Sequence, residues 1–178
     1  MEGLAYLGTV NAYLTSKVKF SQFVMQKVMS SVCPPLHIRI HTIYGGRPPD
    51  PFMFLGQMLD ALENGVDFKM SPGYQLREYH HVDDDVRAIT QLAEDGIAGV
   101  LNLSHGKPIT LREMALAVFE YFDQVDSLKL GALPAPLVDN FSTRFEATKL
   151  PGEDAFRDTI PSVIDYLRCH LKRTLANR

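Results

Sequence analysis

Apolar residues recur at helical spacing through the first part of the chain, from about Asn11 to Val32. On a helical wheel they make one wide arc, and only four polar residues form a stripe opposite it. A surface helix usually has a narrower apolar stripe, so we expect this helix to be covered on two sides, by its own sheet and by a second helix or subunit. A well-buried core helix without a partner fits the pattern equally well. The arc, which also includes Lys17, contains Tyr13, Val18, Phe20, Phe23, Val24, Met25, Val28, Met29 and Val32.

Short strands and helices alternate along the rest of the chain. Strand patterns occupy residues 36–43, 66–70 and 99–103, and helical patterns start near residues 51, 83, 110 and 160. Asp50 is the expected cap of the second helix, with Pro51 in its first turn and Gly65 after its end. Thr110 and Glu113 have the spacing of a capping box. The alternation predicts an α/β domain with a partly parallel sheet.

Composition excludes several classes of protein. The 178 residues are 46% hydrophobic and 22% charged, enough for one domain with a real core. The net charge of −3 makes nucleic acid an unexpected partner, because phosphate binding needs clustered basic residues. Cys33 and Cys169 lie far apart, which argues against a disulfide framework and favours a reducing, cytoplasmic compartment. We find neither a signal peptide nor an apolar run that could span a membrane.

Tyr13 and Lys17 form the first candidate for chemistry. Four residues apart on a helix, their side chains project to the same side. A tyrosine titrates near pH ~10, and a fixed cation beside it favours the phenolate, so the tyrosine can serve as a general acid or base. Such a pair also arises by accident in many helices, and its meaning depends on the motifs further along the chain.

The stretch from Gln75 to Asp85 is the second candidate, because it contains two histidines and three consecutive aspartates. The aspartates stand where a helix begins, and there acidic side chains complement the positive end of the helix dipole. Consecutive carboxylates at a helix start point in different directions, and the sequence shows no second cluster of ligands. We therefore expect no metal site.

Five motifs follow one another in an order that resembles a known family, the extended short-chain dehydrogenase/reductases, which include the NAD-dependent nucleotide-sugar epimerases and dehydratases. The similarity extends from Glu2 to about Leu171. The motifs are Asn11-x-Tyr13-x-x-Ser16-Lys17, Arg39-Ile-x-x-Ile-Tyr44-Gly45, Gln75-x-Arg77-Glu-Tyr-x-His-Val82-Asp83-Asp84, Val100-Leu-Asn102-Leu-x-x-Gly106 and Thr110-Leu-x-Glu113.

The resemblance implies a role for each matching residue. Tyr13 matches the catalytic acid/base that exchanges a proton with a sugar hydroxyl while a hydride moves to or from the nicotinamide of NAD or NADP. Lys17 matches the lysine that binds the nicotinamide ribose and assists the tyrosine, so both residues also count as cofactor-binding. Arg77 matches an arginine that clamps the diphosphate of a nucleotide sugar. Thr42, at the place of a common asparagine, and Tyr44 are the other expected substrate contacts.

The chain departs from the family pattern in several places. His41 stands in place of an aromatic residue, and Glu78 replaces the usual aspartate. The glycine-rich turn that brings a dinucleotide pyrophosphate to a helix amino terminus is missing. The implied fold is a partial Rossmann-like, doubly wound sheet plus the small carboxy-terminal substrate-binding lobe. Residues 1–50 are the expected remnant of the dinucleotide-binding domain, and residues 51–178 are mainly the substrate-binding lobe, within a single α/β unit.

Three functions stay open on the sequence. The chain is the carboxy-terminal part of a nucleotide-sugar epimerase, dehydratase or reductase, inactive by itself; or it is one subunit of a split enzyme whose cofactor half is a second polypeptide; or it is a non-catalytic module that binds nucleotide-diphosphate sugars. We expect a homodimer, or a partner carrying the amino-terminal half, because a doubly wound sheet without its first strands leaves an open edge and uncovered apolar surface.

Overall fold

Helices and strands alternate as the sequence predicts, which confirms the α/β fold class. The computed structural model describes residues 12–150 and 156–171. Its helices are α1 (Ala12–Ser30), α2 (Phe54–Asn64), α3 (Val82–Glu94), α4 (Leu111–Tyr121) and α5 (Thr159–His170). Its strands are β1 (Leu36–Arg39), β2 (Thr42–Tyr44), β3 (Phe68–Met70), β4 (Leu76–Arg77), β5 (Tyr79–His81), β6 (Gly99–Asn102), β7 (Ile109–Thr110) and β8 (Leu128–Leu130). The predicted start of the first helix at Asn11, and the predicted end of the last beyond Leu171, lie outside the described residues.

The strands form four two-stranded sheets. Parallel pairs join β1 to β6, β2 to β5 and β3 to β8, while β4 and β7 are antiparallel. Our prediction of one strand over residues 36–43 is wrong, because the chain changes partner within it. The Arg39 carbonyl accepts a hydrogen bond from the amide of Leu103, the residue after β6. The Thr42 amide instead donates to the carbonyl of Glu78, the residue before β5.

The start of α2 also differs from the prediction. The helix begins at Phe54, and Asp50 instead stabilises the preceding turn: its Oδ1 accepts from the Phe52 amide and its carbonyl from the Met53 amide, each at 2.9 Å. The end of α2 is as predicted, since Gly65 takes the left-handed conformation with φ of +62° and its amide donates to the Ala61 carbonyl. The capping box on α4 is present in full between Thr110 and Glu113.

Two clusters of buried apolar residues hold these elements together. The larger lies among α2, α4, α5 and β3, where the spacing of apolar positions along each helix places one face inward. The smaller joins α3 to β6 and is bordered by β1. Fully buried members of the larger cluster are Met58, Met114, Val118, Phe119, Val163 and Leu167, and Leu103 is fully buried in the smaller.

Among the residues that the structure describes, contacts cover one side of α1. Its Ser21 hydroxyl accepts from the Arg39 guanidinium at 2.7 Å, and its Phe20 ring lies 5.7 Å from the His37 ring, so it packs beside β1. Phe23 is nevertheless 55% exposed and Met29 is 84% exposed. The alternative of a fully buried core helix is therefore wrong, and the second predicted cover of this helix stays a prediction.

None of the helices that the structure describes is long and apolar enough to cross a bilayer. The division of the chain near residue 50 into a cofactor-domain remnant and a substrate-binding lobe stays a prediction. Tyr44, before that boundary, packs in the same core as α2 after it.

Candidate functional site

Tyr13 and Lys17 lie one helical turn apart on α1. The Lys17 Nζ atom is 5.3 Å from the centroid of the Tyr13 ring, so the two side chains share a face as the spacing predicts. Tyr13 is 66% exposed and Lys17 is also exposed. Both groups are thus open to a ligand, and their catalytic and cofactor-binding roles stay predictions.

Thr42 and Arg77 lie together at two neighbouring cavities. The first, the Tyr44 cavity, has a volume of about 390 Å³, and the second, the His41 cavity, has a volume of about 310 Å³. Thr42 and Arg77 line both of them. The Tyr44 cavity also includes Arg47, Tyr79 and Tyr166, and the His41 cavity includes Glu78, Asn140 and Arg144. Neither cavity includes Tyr13 or Lys17.

Tyr44 lines its cavity with a largely buried ring. The residue is 5% exposed, and its ring lies 5.4 Å from the Tyr166 ring and 5.3 Å from that of His81. Burial raises the pKa of the Tyr44 phenol, although a hydrogen bond with Ser162 offsets part of that effect. A neutral hydroxyl in this position can donate or accept a hydrogen bond, and contact of Tyr44 with a substrate stays a prediction.

Arg77 is held by an ion pair that the sequence did not predict. Its Nη1 atom lies 2.8 Å from Asp139 Oδ1 and its Nη2 atom 2.9 Å from Asp139 Oδ2, which is a two-pronged contact. Nη1 also donates to the Leu76 carbonyl at 2.8 Å. Burial works to raise the pKa of Asp139, but the hydrogen bonds from Arg77 and from the Asn140 amide, together with the charge of Arg77, lower it below the ordinary value.

Behind the His41 cavity lies a buried group of histidines and carboxylates, which we call the Glu78 cluster: His41, Glu78, His80, Asp85 and His105. Glu78 is at its centre. Oε1 accepts from the Ser104 hydroxyl and from the Gly106 amide, each at 2.8 Å. Oε2 lies 2.9 Å from His41 Nε2 and 3.6 Å from His80 Nε2. His105 Nδ1 lies 3.6 Å from Oε1.

The other side of His80 faces the start of α3. Its Nδ1 atom lies 2.7 Å from Asp85 Oδ1, and the His80 side chain is fully buried. The three aspartates predicted to interact with the helix dipole all lie in the first turn of α3. Two of them, Asp84 and Asp85, are also buried and form ion pairs. Asp84 binds Arg87 and Arg157.

The charged groups of the Glu78 cluster shift one another's pKa values. Burial alone would raise the pKa of Glu78, but its contacts with His41, His80 and Ser104 lower it far below the ordinary value. Burial alone would lower the pKa of His80, and Asp85 and Glu78 together raise it to about 9. Burial lowers the pKa of His105. Glu78 is therefore ionised in the interior, and at neutral pH His80 is protonated between Glu78 and Asp85.

A family model decides the identity of the fold. The model of the NAD dependent epimerase/dehydratase family matches residues 2–104, which is more than half of the chain. This chain belongs to the NAD dependent epimerase/dehydratase family. The family resemblance of the motifs around Tyr13, Tyr44 and Arg77 is thereby confirmed, although no single residue role is.

Solved structures of family enzymes share the fold. A dTDP-glucose 4,6-dehydratase from Bacillus anthracis in complex with NAD superposes with a TM-score of 0.70 at 14% identity, over 89% of this chain and 51% of that one. A UDP-N-acetylglucosamine 4-epimerase from Methanobrevibacter ruminantium, in complex with UDP-N-acetylmuramic acid, gives 0.68 at 18% identity, over 89% and 52%. MoeE5 in complex with UDP-glucose and NAD gives 0.57 at 25% identity, over 77% and 48%. The chain thus spans about half the length of these structures.

Sequence reasoning identified some of this site and missed the rest. It marked His41 and Glu78 as departures from the family pattern, but nothing indicated that the two touch. Asp139 was missed because it lies 62 residues beyond Arg77 in a proline-rich segment without a regular pattern. His105 was missed because a lone histidine after a strand is most often structural.

Proposed function

We propose that this chain is the substrate-binding part of an NAD-dependent enzyme that acts on a nucleotide-diphosphate sugar. The observation that carries the proposal is the placement of Thr42 and Arg77 on the shared border of two cavities, in a chain of the epimerase/dehydratase family. A guanidinium beside a hydroxyl suits the diphosphate of such a substrate, because both donate hydrogen bonds to phosphate oxygens.

Arg77 would bind the diphosphate and Thr42 would donate a hydrogen bond beside it. Arg77 is half-buried on β4, so the strand fixes its position. Its guanidinium is already engaged by Asp139, so a diphosphate either displaces that carboxylate or binds the edge of the guanidinium that it leaves free. Tyr44 supports the same wall of the cavity through its buried ring, with its hydroxyl neutral at physiological pH.

Tyr13 and Lys17 would act on the sugar and on the cofactor. Bound NAD or NADP would supply the hydride acceptor, and the exposed hydroxyl and ammonium on one face of α1 are the donor types that suit its ribose. In that arrangement Tyr13 takes or returns the proton of a sugar hydroxyl, and Lys17 assists it. The sequence has no glycine-rich turn, so this chain lacks the motif that would bind the pyrophosphate of the cofactor.

We propose further that the chain does not catalyse the reaction by itself. The cofactor half would be either the amino-terminal part of an enzyme whose carboxy-terminal part is this chain, or a second polypeptide, and in the second case the exposed residues of α1 would contact it. Phe20, Phe23 and Met29 leave a broad apolar surface there. A non-catalytic module that binds the nucleotide sugar is the alternative, in which Tyr13 and Lys17 have no chemical role.

Calorimetric titration of the purified chain tests this proposal. The ligands are NAD, NADP, UDP-glucose and dTDP-glucose, and the variants are Arg77→Ala and Thr42→Ala. Arg168→Ala is the matched control, because Arg168 is exposed on α5 and pairs with Asp165 away from both cavities. We expect a nucleotide sugar to bind, Arg77→Ala to weaken it by about tenfold or more, and the control to bind like the parent chain.

Two results would contradict the proposal. If no nucleotide sugar binds at millimolar concentration, the chain is not a substrate-binding part in its isolated form. If NAD binds tightly to the chain alone, the chain contains its own cofactor site and needs no other half to bind the cofactor. A sugar that binds equally to Arg77→Ala would remove the assigned role of Arg77 and leave the rest standing.

A further inference from the structure

We propose that the Glu78 cluster is a binding site for a divalent transition-metal ion of the zinc type, with one donor atom each from Glu78, His80 and His105. Among the described residues, these three can bring their ligand atoms within 4.8 Å of one another. Asp85 lies behind His80 as its supporting carboxylate. The site is independent of the proposed nucleotide-sugar function and can be tested separately from it.

Unpartnered buried atoms mark the place of the ion. His80 Nε2 and Glu78 Oε2 are buried and make no hydrogen bond, and the His41 Nε2 atom beside them makes none either. His41 Nε2 and Glu78 Oε2 are only 2.9 Å apart, so it is their relative orientation rather than the distance that prevents a hydrogen bond. A buried polar atom without a hydrogen-bond partner destabilises the fold. A cation between these atoms would give each of them a partner.

The distances suit a metal centre. Zinc binds nitrogen and carboxylate oxygen at roughly 2.0–2.2 Å, so two tetrahedral ligands of one ion lie roughly 3.3–3.6 Å apart. His80 Nε2 is 3.6 Å from Glu78 Oε2, and His105 Nδ1 is 3.6 Å from Glu78 Oε1. One donor atom from each of the three residues lies within 4.8 Å of the others, so the side chains would draw closer around an ion that binds a single Glu78 oxygen. His105 Nδ1 also accepts a hydrogen bond from the Lys107 amide at 3.1 Å, which the metal bond would replace.

Asp85 gives His80 the arrangement typical of metal-binding histidines. The Asp85 carboxylate lies 2.7 Å from His80 Nδ1, so an ion that binds Nε2 would displace the proton of that atom and leave the Nδ1 proton with Asp85. Metal-ligating histidines nearly always donate their other ring N–H to such a group, which orients the ring and strengthens the ligand. Glu78 has comparable support, since Ser104 and Gly106 fix its Oε1 atom.

Charge and access are also suitable. Glu78 and Asp85 bring two carboxylates into the interior on either side of His80, and a divalent ion would take over the compensation of their charge from the His80 proton that it displaces. Glu78 and His41 line the His41 cavity, and the His41 side chain is 22% exposed, so an ion can enter from that side. Two imidazoles and one carboxylate favour zinc or cobalt over magnesium or calcium, which prefer oxygen ligands.

The structure also explains why the sequence pointed away from a metal. The candidates visible in the sequence were the histidines and aspartates of residues 80–85, whose consecutive carboxylates diverge. The proposed ligands come instead from β5, the residue before it and the loop after β6, which only the fold brings together. The expectation of no metal site is therefore revised by this proposal.

Titration of the chelator-treated full chain with Zn²⁺ and Co²⁺ tests the site. Cys33 and Cys169 are exposed thiols that bind zinc nonspecifically, so both are replaced by serine in the parent used for all measurements. Calorimetry gives stoichiometry and affinity, and the visible spectrum of bound Co²⁺ reports nitrogen and oxygen ligation. We expect one ion per chain, a higher melting temperature with zinc, and at least about a tenfold loss of affinity in His80→Gln and His105→Gln.

Controls make the outcome decisive. His170→Gln removes a histidine near the end of α5, outside the cluster, and should bind like the parent. Asp85→Asn keeps the size of the side chain and should weaken binding by about 10–100-fold. Circular dichroism shows which variants fold; if His80→Gln does not, His105→Gln and Asp85→Asn decide. Absence of binding by the parent, or unchanged binding in the folded cluster variants, overturns the proposal.

Discussion

Arg77 and Asp139 meet in a two-pronged ion pair although 62 residues separate them, with N–O distances of 2.8 and 2.9 Å. The pair attaches the irregular segment after β8 to β4, and the Leu76 amide strengthens the attachment by donating to the Asn140 carbonyl at 2.7 Å. Because Arg77 also lines both candidate cavities, this single contact links the stability of the chain to the place where a diphosphate is proposed to bind.

The first prediction concerns pH. Because the pKa of Asp139 is lower in the folded chain than its ordinary value of 3.8, the pair stabilises the fold fully above that value and loses its contribution as the pH falls through the folded pKa. Asp139→Asn should therefore be less stable than the parent at pH 7, and the difference should shrink as the pH falls below 3.8 and through the lowered pKa of the folded chain. Urea unfolding at several pH values measures this difference, and Asp126→Asn, an exposed carboxylate, is the control.

The second prediction concerns affinity and rests on the proposed function. If Asp139 competes with a diphosphate for the Arg77 guanidinium, Asp139→Asn should raise the affinity for a nucleotide sugar by up to about fivefold, since partly exposed ion pairs contribute up to about 1 kcal/mol. The double variant with Arg77→Ala should lose that gain. Weaker binding by Asp139→Asn alone would show that Asp139 positions Arg77 and does not compete.

The third prediction concerns the capping box of α4. The Thr110 hydroxyl accepts from the Glu113 amide at 3.0 Å, and Glu113 accepts from the Thr110 amide at 2.7 Å. Thr110→Ala removes the cap and should cost about 1 kcal/mol, which lowers the melting temperature by about 2–4 °C. Thr143→Ala, at an exposed position outside any helix, is the matched control. Equal melting temperatures for the two variants would contradict the assigned role of the cap.

The fourth prediction concerns the turn before α2. A Cβ atom added at Gly56 would lie 2.0 Å from the Asp50 carbonyl oxygen, so the turn packs directly on the helix backbone. Gly56→Ala should destabilise the chain by about 1–3 kcal/mol, because the backbone must move. Gly65→Ala is the comparison: that site has open space and only a left-handed φ of +62°, which costs about 1 kcal/mol. We expect the larger loss at Gly56, and the reverse order in urea unfolding would contradict the close packing.

The sequence patterns correctly predicted those features of the fold that depend on residues close together in the chain. Helical periodicity, the capping box at Thr110 and the glycine after α2 each depend on residues within a few positions of one another, and all three are present. The same patterns predicted the order of the helices and the strands within residues 36–43, 66–70 and 99–103, but not the short strands β4, β5 and β7. The predicted start of α2 was wrong by a few residues, because Asp50, the expected helix cap, stabilises a separate turn before the helix.

Pairings between distant segments could not be predicted in this way. Residues 36–43 read as one strand, and nothing in them shows that neighbouring strands change at Ile40 and His41. The Glu78 cluster is assembled from four segments, and each of its residues alone resembles an ordinary polar residue near a strand end. Recognition of the family placed Tyr13, Lys17, Thr42 and Arg77 in an expected site, but it could not indicate Asp139 or His105.

The last prediction concerns α1, whose outer surface is a broad apolar face that a partner would cover. Phe23 is 55% exposed and Met29 is 84% exposed, and both lie on a helix whose other side packs beside β1. The sequence predicts that the chain self-associates, or leans on a partner, through Phe20, Val24, Met25 and Met29, and a dimer is the leading case. Sedimentation at micromolar concentration should show a dimer, and the double substitution Phe23→Glu and Met29→Glu should shift it to monomer, because burial of two charges opposes association. Gln22→Glu adds one charge on an exposed polar position of the same helix and should stay dimeric. A parent chain that sediments as a single monomeric species would contradict the prediction.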